Sequence, residues 1–255
     1  MTRYATYPSL RGRRVLITGG ASGIGETLVT HFAAQSAQVA FLDIQDEAAA
    51  SLISQVEVAG HPKPHYLHCD LTDIDAMRAA VAEAIASLGG IEVLINNAGN
   101  DRRHAIAEVT PELWDQLMAV NLRHQFFVTQ AALPALRQSS SGSIINMSSI
   151  AWIIPSVGLP VYVTAKAAIV GLTRTLAHEV GKDNIRVNAI LPGAILTEKQ
   201  RKIVLTPEYT AEVLANQALK RQLVPEEIAR LALFLAADDS SAITGQSHIA
   251  DGGWV

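Results

Sequence analysis

Val15-Leu16-Ile17-Thr18-Gly19-Gly20-Ala21-Ser22-Gly23-Ile24-Gly25 is the stretch on which the fold turns. A short apolar run passes straight into glycines, and then into Ile24, Leu28 and Phe32, spaced to share one helical stripe. Glycines at a strand-to-helix join let the chain turn tightly and let a pyrophosphate approach the main chain. The amides of the helix N-terminus then face the anion. The spacing is glycine, three residues, glycine, one residue, glycine, which departs from the common G-x-G-x-x-G form. Glycines also make ordinary loops, so the motif takes its meaning from lying between a strand and a helix. Gly19, Ser22, Gly23, Ile24 and Gly25 are its candidate contacts with a dinucleotide.

The same alternation continues along the chain. Apolar runs at Val39–Leu42, Val93–Ile95, Ile144-Ile145 and Val187–Leu191 are nearly continuous, as in parallel strands buried on both faces. Between them lie amphipathic stretches such as Ile74, Met77, Val81, Ile85 and Leu88. Helix starts are legible at Thr110-Pro111-Glu112 and Val224-Pro225-Glu226, and helix ends at Gly89-Gly90 and Gly181. The pattern predicts an α/β fold with a doubly wound, mostly parallel sheet and helices on both faces. A single domain is expected over residues 1–255, with residues 1–12 as a short tail. Residues 197–210 lack periodicity and read as a substrate lid.

Composition narrows the function. Of 255 residues, 49% are hydrophobic and 17% charged, and the net charge is -4, a globular balance without a basic footprint for nucleic acid. The N-terminal residues hold no apolar run of signal-peptide or membrane-span length, and the single cysteine, Cys69, forms no internal disulfide. A cytoplasmic protein that engages neither membrane nor nucleic acid is expected. His61, His65 and His68 resemble a metal site at first glance, yet residues three apart in a strand point to opposite faces, so no metal is expected.

About twenty residues after the glycine turn, Asp43 closes the second strand, where a carboxylate can accept both hydroxyl hydrogens of an adenosine ribose. It would repel a 2′-phosphate, and no Arg or Lys follows it directly, so NAD is the expected cofactor. Tyr162 and Lys166 are four apart on one helix face. A free phenol, with a pKa near about 10, is a poor base; a neighbouring ammonium would lower that value and yield a general base. Such a pair is common on surface helices. Here Ser149 lies just beyond the strand Ser143–Met147, and Asn96-Asn97-Ala98-Gly99 follows another strand to the same rim.

With these motifs the sequence resembles the short-chain dehydrogenase/reductase family over nearly its whole length. The resemblance implies a catalytic tetrad of Asn121, Ser149, Tyr162 and Lys166. It implies further cofactor contacts at Asp70, Leu71, Asn97, Ala98, Gly99, Pro192, Gly193, Ile195 and Thr197, with Tyr162 and Lys166 touching the cofactor as well. Tyr162 would take the substrate hydroxyl proton while hydride leaves the same carbon. Lys166 would lower the tyrosine pKa and bind the nicotinamide ribose, and Ser149 would position the substrate oxygen. Asn121, in a locally kinked helix, would hold a water linking Lys166 to solvent. A homotetramer built on helices around residues 111–137 and 161–180 is also implied.

Substrate choice rests on Asn100-Asp101-Arg102-Arg103-His104, which offers few apolar groups and many hydrogen-bonding ones. Asn100 and His104 are candidate substrate contacts with Ser149 and Tyr162, and Trp152 offers a flat face to a pyranose. Together with Val120–His124 and Tyr7–Leu10, this stretch is similar to the aldose 1-dehydrogenases of the family, those for D-xylose among them. The expectation is oxidation of an aldose at C1 to its lactone with NAD. A reductase or dehydrogenase of another alcohol or carbonyl (a sugar acid, polyol or 3-oxoacyl group) is the alternative. A non-catalytic NAD-binding sensor or scaffold is a further one.

Overall fold

A computed structural model of the chain describes residues 4–198 and 206–255. Among these residues the apolar runs become one parallel sheet. Its strands are β1 (Arg14–Thr18), β2 (Gln38–Asp43), β3 (His65–His68), β4 (Val93–Asn96), β5 (Gly142–Met147), β6 (Ile185–Pro192) and β7 (Ser247–Ala250). They lie in the order β3-β2-β1-β4-β5-β6-β7, every pair parallel. The helices are α1 (Gly23–Ala34), α2 (Asp46–Val58), α3 (Ile74–Leu88), α4 (Pro111–Met118), α5 (His124–Leu136), α6 (Pro160–Val180), α7 (Pro207–Asn216) and α8 (Pro225–Ala236). None of them is long and apolar enough to cross a membrane.

Alternate residues of each strand supply opposite faces, so both layers are apolar. Val15 and Ile17 of β1 pack with Leu28 and Phe32 of α1 and with Ile228 and Leu233 of α8. Leu16, between them, packs in the other layer with Met77 and Val81 of α3, Val128 of α5 and Val180 of α6. Each such side chain, fully withdrawn from water, contributes roughly 1.5–3 kcal/mol. The expected 1–12 tail is partly built into this core: Leu10 is buried, and Tyr7 N donates to Gln35 Oε1 at 2.9 Å.

Local chemistry sets the helix ends. Asp73 accepts from the backbone N–H of Asp75 and Ala76, both at 3.0 Å, to start α3, and Gly89 ends it in the left-handed region at φ 71. Gly181 ends α6 differently from expectation. Its φ is −60, the chain continues as a short 3₁₀ turn, and Asn184 takes the left-handed position at φ 56. Part of the stretch read as aperiodic, 197–210, is helical. Residues 207–210 form the first turn of α7, because Thr206 Oγ1 accepts from Tyr209 N at 3.1 Å and Pro207 occupies the first turn. Of the expected lid, residues 199–205 lie outside the described residues.

Candidate active site

The order of the sheet places the site. From β1 the chain proceeds to β2 on one side, while β4 pairs with the other side of β1. That reversal leaves a crevice at the carboxyl ends of β1 and β4, where ligands of open parallel sheets sit. Thr18 closes β1 opposite Asn96, and its hydroxyl accepts from the N–H of Asn97 at 3.0 Å and of Ala98 at 3.2 Å. Asn97 Nδ2 donates to the carbonyls of Thr18 and Gly19, at 3.1 and 2.9 Å. The side chain of Asn97 thus braces the glycine turn from beneath.

That turn is cut to close tolerance. Gly19 and Gly23 hold φ of 66 and 61, which side chains rarely adopt. A Cβ at Gly25 would stand 1.8 Å from Gly19 O and 2.8 Å from Asn97 Nδ2. Ser22, Ile24 and the first amides of α1 follow at once. Thr197 approaches from β6, its Cγ2 3.5 Å from where a Cβ of Gly23 would be. Pro192 ends β6, Gly193 packs on Asp251, and Ile195 bridges to Leu223.

Asp43 sits at the rim of this cradle, 7% exposed. Its Oδ2 accepts from Ala21 N at 2.9 Å, and Oδ1 accepts from Ile44 N at 2.8 Å and Gln45 N at 3.1 Å. Gln45 Nε2 reaches both Asp43 and Ser22 Oγ, so the carboxylate is tied to the glycine turn. Asp70 and Leu71 follow β3 nearby, with Asp70 Oδ1 accepting from Thr72. Their neighbour Cys69 is buried, and burial pushes its thiol up to about 11, so it is an inert apolar group. His68 pairs with Asp46 at 2.8 Å in the open. A bound dinucleotide fits the donor set: free helix amides, a glycine-lined floor and a fixed carboxylate at the expected ribose position.

Beyond β4 and β5 lie the reactive side chains. Ser149 follows β5 in extended backbone, its Oγ accepting from Ala151 N at 3.1 Å. Tyr162 and Lys166 come from the first turns of α6, and the Lys166 ammonium lies 5.4 Å from the centre of the Tyr162 ring. Lys166 is 3% exposed, and its Nζ donates to the carbonyl of Met147 at 2.8 Å. Ser148 Oγ donates to Lys166 O at 2.7 Å, pinning α6 to the end of β5. Neither a backbone carbonyl nor Ser148 carries a motif signature, so this anchoring is visible only in the structure.

Asn121 is the centre of a π-turn, Ala119–Arg123, between α4 and α5. This is the local distortion expected of its helix. Its Oδ1 accepts from Asn100 N at 2.8 Å, while Nδ2 donates to Asn100 O at 3.0 Å and Leu117 O at 2.9 Å. The side chain clamps the strand of chain after Gly99 rather than reaching outward. His104 is buried as well: its N donates to Gly158 O at 2.9 Å, and its Nδ1 meets Arg102 O at 3.0 Å. Trp152 stands 37% exposed just after Ser149.

The electrostatics correct one expectation. The Tyr162 phenol is held above its ordinary value, not below it: burial raises it most, the Asp101 charge adds to that, and hydrogen bonding with Ser149 opposes. Lys166 stands over the ring, 5.4 Å from its centre, and donates one of its three ammonium hydrogens to Met147 O. Burial pushes Lys166 itself down to about 8, against the pull of Asp101. His124, buried one turn from Asn121, is pushed down to about 3 by burial and then by the Lys166 charge, so it stays neutral.

A dinucleotide cradle at the switch point, opening onto a serine, a tyrosine and a lysine, defines an oxidoreductase of the doubly wound class. The comparisons give the family. Residues 19–255 match the family model described as "Enoyl-(Acyl carrier protein) reductase". The chain is 50% identical over 247 residues to the "Probable galactose dehydrogenase GalD" of Rhizobium meliloti, covering 97% of this chain and 96% of the relative. It is 49% identical over 251 residues to the D-xylose 1-dehydrogenase of Caulobacter vibrioides, covering 98% of each. A short-chain dehydrogenase/reductase variant of Serratia marcescens superimposes with a TM-score of 0.90 at 32% identity, over 96% of this chain and 99% of the other. The chain belongs to the short-chain dehydrogenase/reductase family, whose dehydrogenases act on CH–OH groups.

Proposed function

We propose that this protein oxidises an aldose at C1 to its lactone, with NAD as the acceptor. The observation that carries the reading is the convergence of Ser149, Tyr162 and Lys166 beside a cradle whose ribose-side residue is the carboxylate of Asp43. The two relatives named for galactose and D-xylose favour an aldose. NAD, when bound, supplies the acceptor for the hydride.

The residues divide the remaining work. Gly19, Ser22, Gly23, Ile24, Gly25, Asp43, Asp70 and Leu71 hold the adenosine and pyrophosphate side. Asn97, Ala98, Gly99, Pro192, Gly193, Ile195 and Thr197 surround the nicotinamide side. Ser149 donates to the substrate oxygen at C1 and holds it against the Tyr162 phenol. Tyr162 takes the hydroxyl proton, and Lys166 stabilises the phenolate and binds the nicotinamide ribose. Asn121 keeps the Asn100 segment and the π-turn in place beside Lys166, where a water can pass the proton outward. Asn100, His104 and Trp152 contribute to the sugar pocket.

Initial rates on a panel of aldoses, polyols and a 3-oxoacyl carbonyl, with each cofactor, test the reading. An aldose with NAD should head the panel; turnover of the acyl carbonyl alone would remove the sugar assignment. Asp43→Asn keeps the shape of the side chain and discards its charge. It should lower the preference for NAD over NADP by about 10- to 100-fold, the worth of a charge-assisted hydrogen bond and of lost repulsion. An unchanged ratio would place cofactor choice elsewhere.

Self-association as a homotetramer fits the apolar groove across the π-turn, α5 and α6, lined by Leu122, Phe126, Phe127, Ala168 and Leu172. Phe126, in that lining, stands 45% exposed. Light scattering at micromolar concentration should give four times the 27.2 kDa chain mass, and a single-chain mass would contradict it. A lone, buried cysteine suits a reducing compartment, and we place the protein in the cytoplasm.

A further inference from the structure

The carboxylate of Asp43 already carries more donors than a ribose contact leaves room for. Oδ2 accepts from Ala21 N at 2.9 Å, and Oδ1 accepts from Ile44 N at 2.8 Å, Gln45 N at 3.1 Å and Gln45 Nε2 at 3.3 Å. A carboxylate oxygen offers about two lone pairs, so Oδ2 has a place for one more donor and Oδ1 has none. Two neighbouring ribose hydroxyls need a place on each. The backbone amides of Ala21, Ile44 and Gln45 are fixed by the course of the chain through the glycine turn and into α2. Gln45 Nε2 ends an exposed side chain and stands at the longest distance of the set. It is the donor that a ribose hydroxyl displaces.

The same amide is held from its other side. Gln45 Nε2 donates to Ser22 Oγ at 3.0 Å, so leaving Asp43 does not set the side chain adrift. Ser22 stands just before α1, where a serine hydroxyl ordinarily accepts from the first helical amides. Its hydroxyl makes no such cap and accepts from Gln45 instead. Ser22 and Gln45 thus span the gap between the glycine turn and the carboxylate. An adenosine ribose must cross that gap to bring its pyrophosphate to α1.

We propose that Gln45 is a cofactor-binding residue that admits an adenosine ribose hydroxyl between its own Nε2 and Asp43 Oδ1. This rests on the reading of the cradle as a site for NAD. A hydroxyl donates one hydrogen and accepts on its oxygen. Asp43 takes the hydrogen, and Gln45 Nε2 donates to the oxygen while its second hydrogen stays on Ser22 Oγ. The 3.3 Å bond between amide and carboxylate is exchanged for two, one of them charge-assisted. A deoxy carbon in the same place supplies neither half and leaves the amide on the carboxylate. Asp43 therefore reads the donor side of the hydroxyl and Gln45 its acceptor side.

The test is calorimetric titration of the full chain, without substrate, by NAD and by its analogues lacking the 2′- or the 3′-hydroxyl of the adenosine ribose. Wild type is compared with Gln45→Met, which keeps the reach of the side chain without its donor, and with Gln45→Ala, which removes the arm. The side chain is exposed, so both variants should unfold at the wild-type temperature. NAD should bind both about 3- to 10-fold more weakly, as for one neutral hydrogen bond. One of the two analogues should bind wild type and variants alike, so the wild-type discrimination against it shrinks by the same factor. NAD affinity that is unchanged or raised in the variants would overturn the proposal, since Gln45 would then only occupy Asp43. An equal loss for NAD and both analogues would overturn it too, as the mark of a displaced carboxylate. Wild-type protein that binds NADP as tightly as NAD removes the NAD reading and this inference with it. A preference for NAD with unaltered discrimination in the variants removes this inference alone.

Discussion

Tyr162→Phe should abolish nearly all turnover while leaving the cofactor bound as before. The substitution removes one hydroxyl from a side chain that otherwise keeps its place on α6 beside Lys166. The hydroxyl is part neither of the glycine turn nor of the Asp43 carboxylate, so NAD affinity, read by fluorescence titration, should stay within experimental error. The general base is gone, and kcat should fall about a hundred- to ten-thousand-fold. The pH dependence sharpens the expectation. The active form is the ionised phenol, and its proton is held above the ordinary value, so only a minor fraction is ionised at neutrality. Wild-type kcat/KM should therefore climb as pH rises from neutrality, and over the same range Lys166, held down to about 8, also loses its proton. The residual activity of the Phe variant should lack the phenol's part of that climb. Undiminished turnover would take Tyr162 out of the mechanism.

Gly25→Ala should have an effect of similar size by a different route. The added methyl would meet Gly19 O at 1.8 Å and Gly19 C at 2.8 Å, both backbone atoms that cannot swing aside. Either α1 lifts from the turn or the turn itself moves, and both displace the amides that face the pyrophosphate. NAD affinity should fall at least about tenfold, and stability should drop by about 1–3 kcal/mol, as for other overpacked sites. Gly181→Ala is the control. Gly181 has φ of −60 and open space around it, so its substitution should leave affinity unchanged and stability equal or slightly higher. Urea unfolding of both variants, with and without NAD, separates lost affinity from lost stability.

Much of this architecture is legible in the residues because its determinants are local. The runs Val15–Ile17 and Val93–Ile95 are continuous in apolar character, and the strands they form are buried on both faces. Thr110-Pro111-Glu112 marks a helix start because the threonine caps and the proline needs no partner for its missing N–H. The same three residue types recur at Thr206-Pro207-Glu208, and α7 begins there, inside a stretch read as irregular. The sequence carries this start signal. β7 is harder: Ser247, His248, Ile249 and Ala250 lie at the sheet edge, half in water, and carry no apolar run.

Within the site, side chains with motif spacing could be found and those without could not. Tyr162 and Lys166 announce themselves by lying one turn apart. The carbonyl of Met147 that holds Lys166 has no residue type to betray it. The direction of the phenol pKa is not legible in the sequence, because spacing speaks of a neighbouring charge and is silent about burial. Burial prevails here, and the carboxylate of Asp101 adds to it.

The reaction itself is tested most directly by isotope transfer. The enzyme is given NAD and an aldose carrying deuterium at C1, and the reduced cofactor is recovered for mass spectrometry. One deuterium per turnover on the nicotinamide, with the sugar recovered as its lactone or the opened acid, is the predicted result. An enzyme that binds NAD and yet moves no deuterium from any C1-labelled aldose would contradict it.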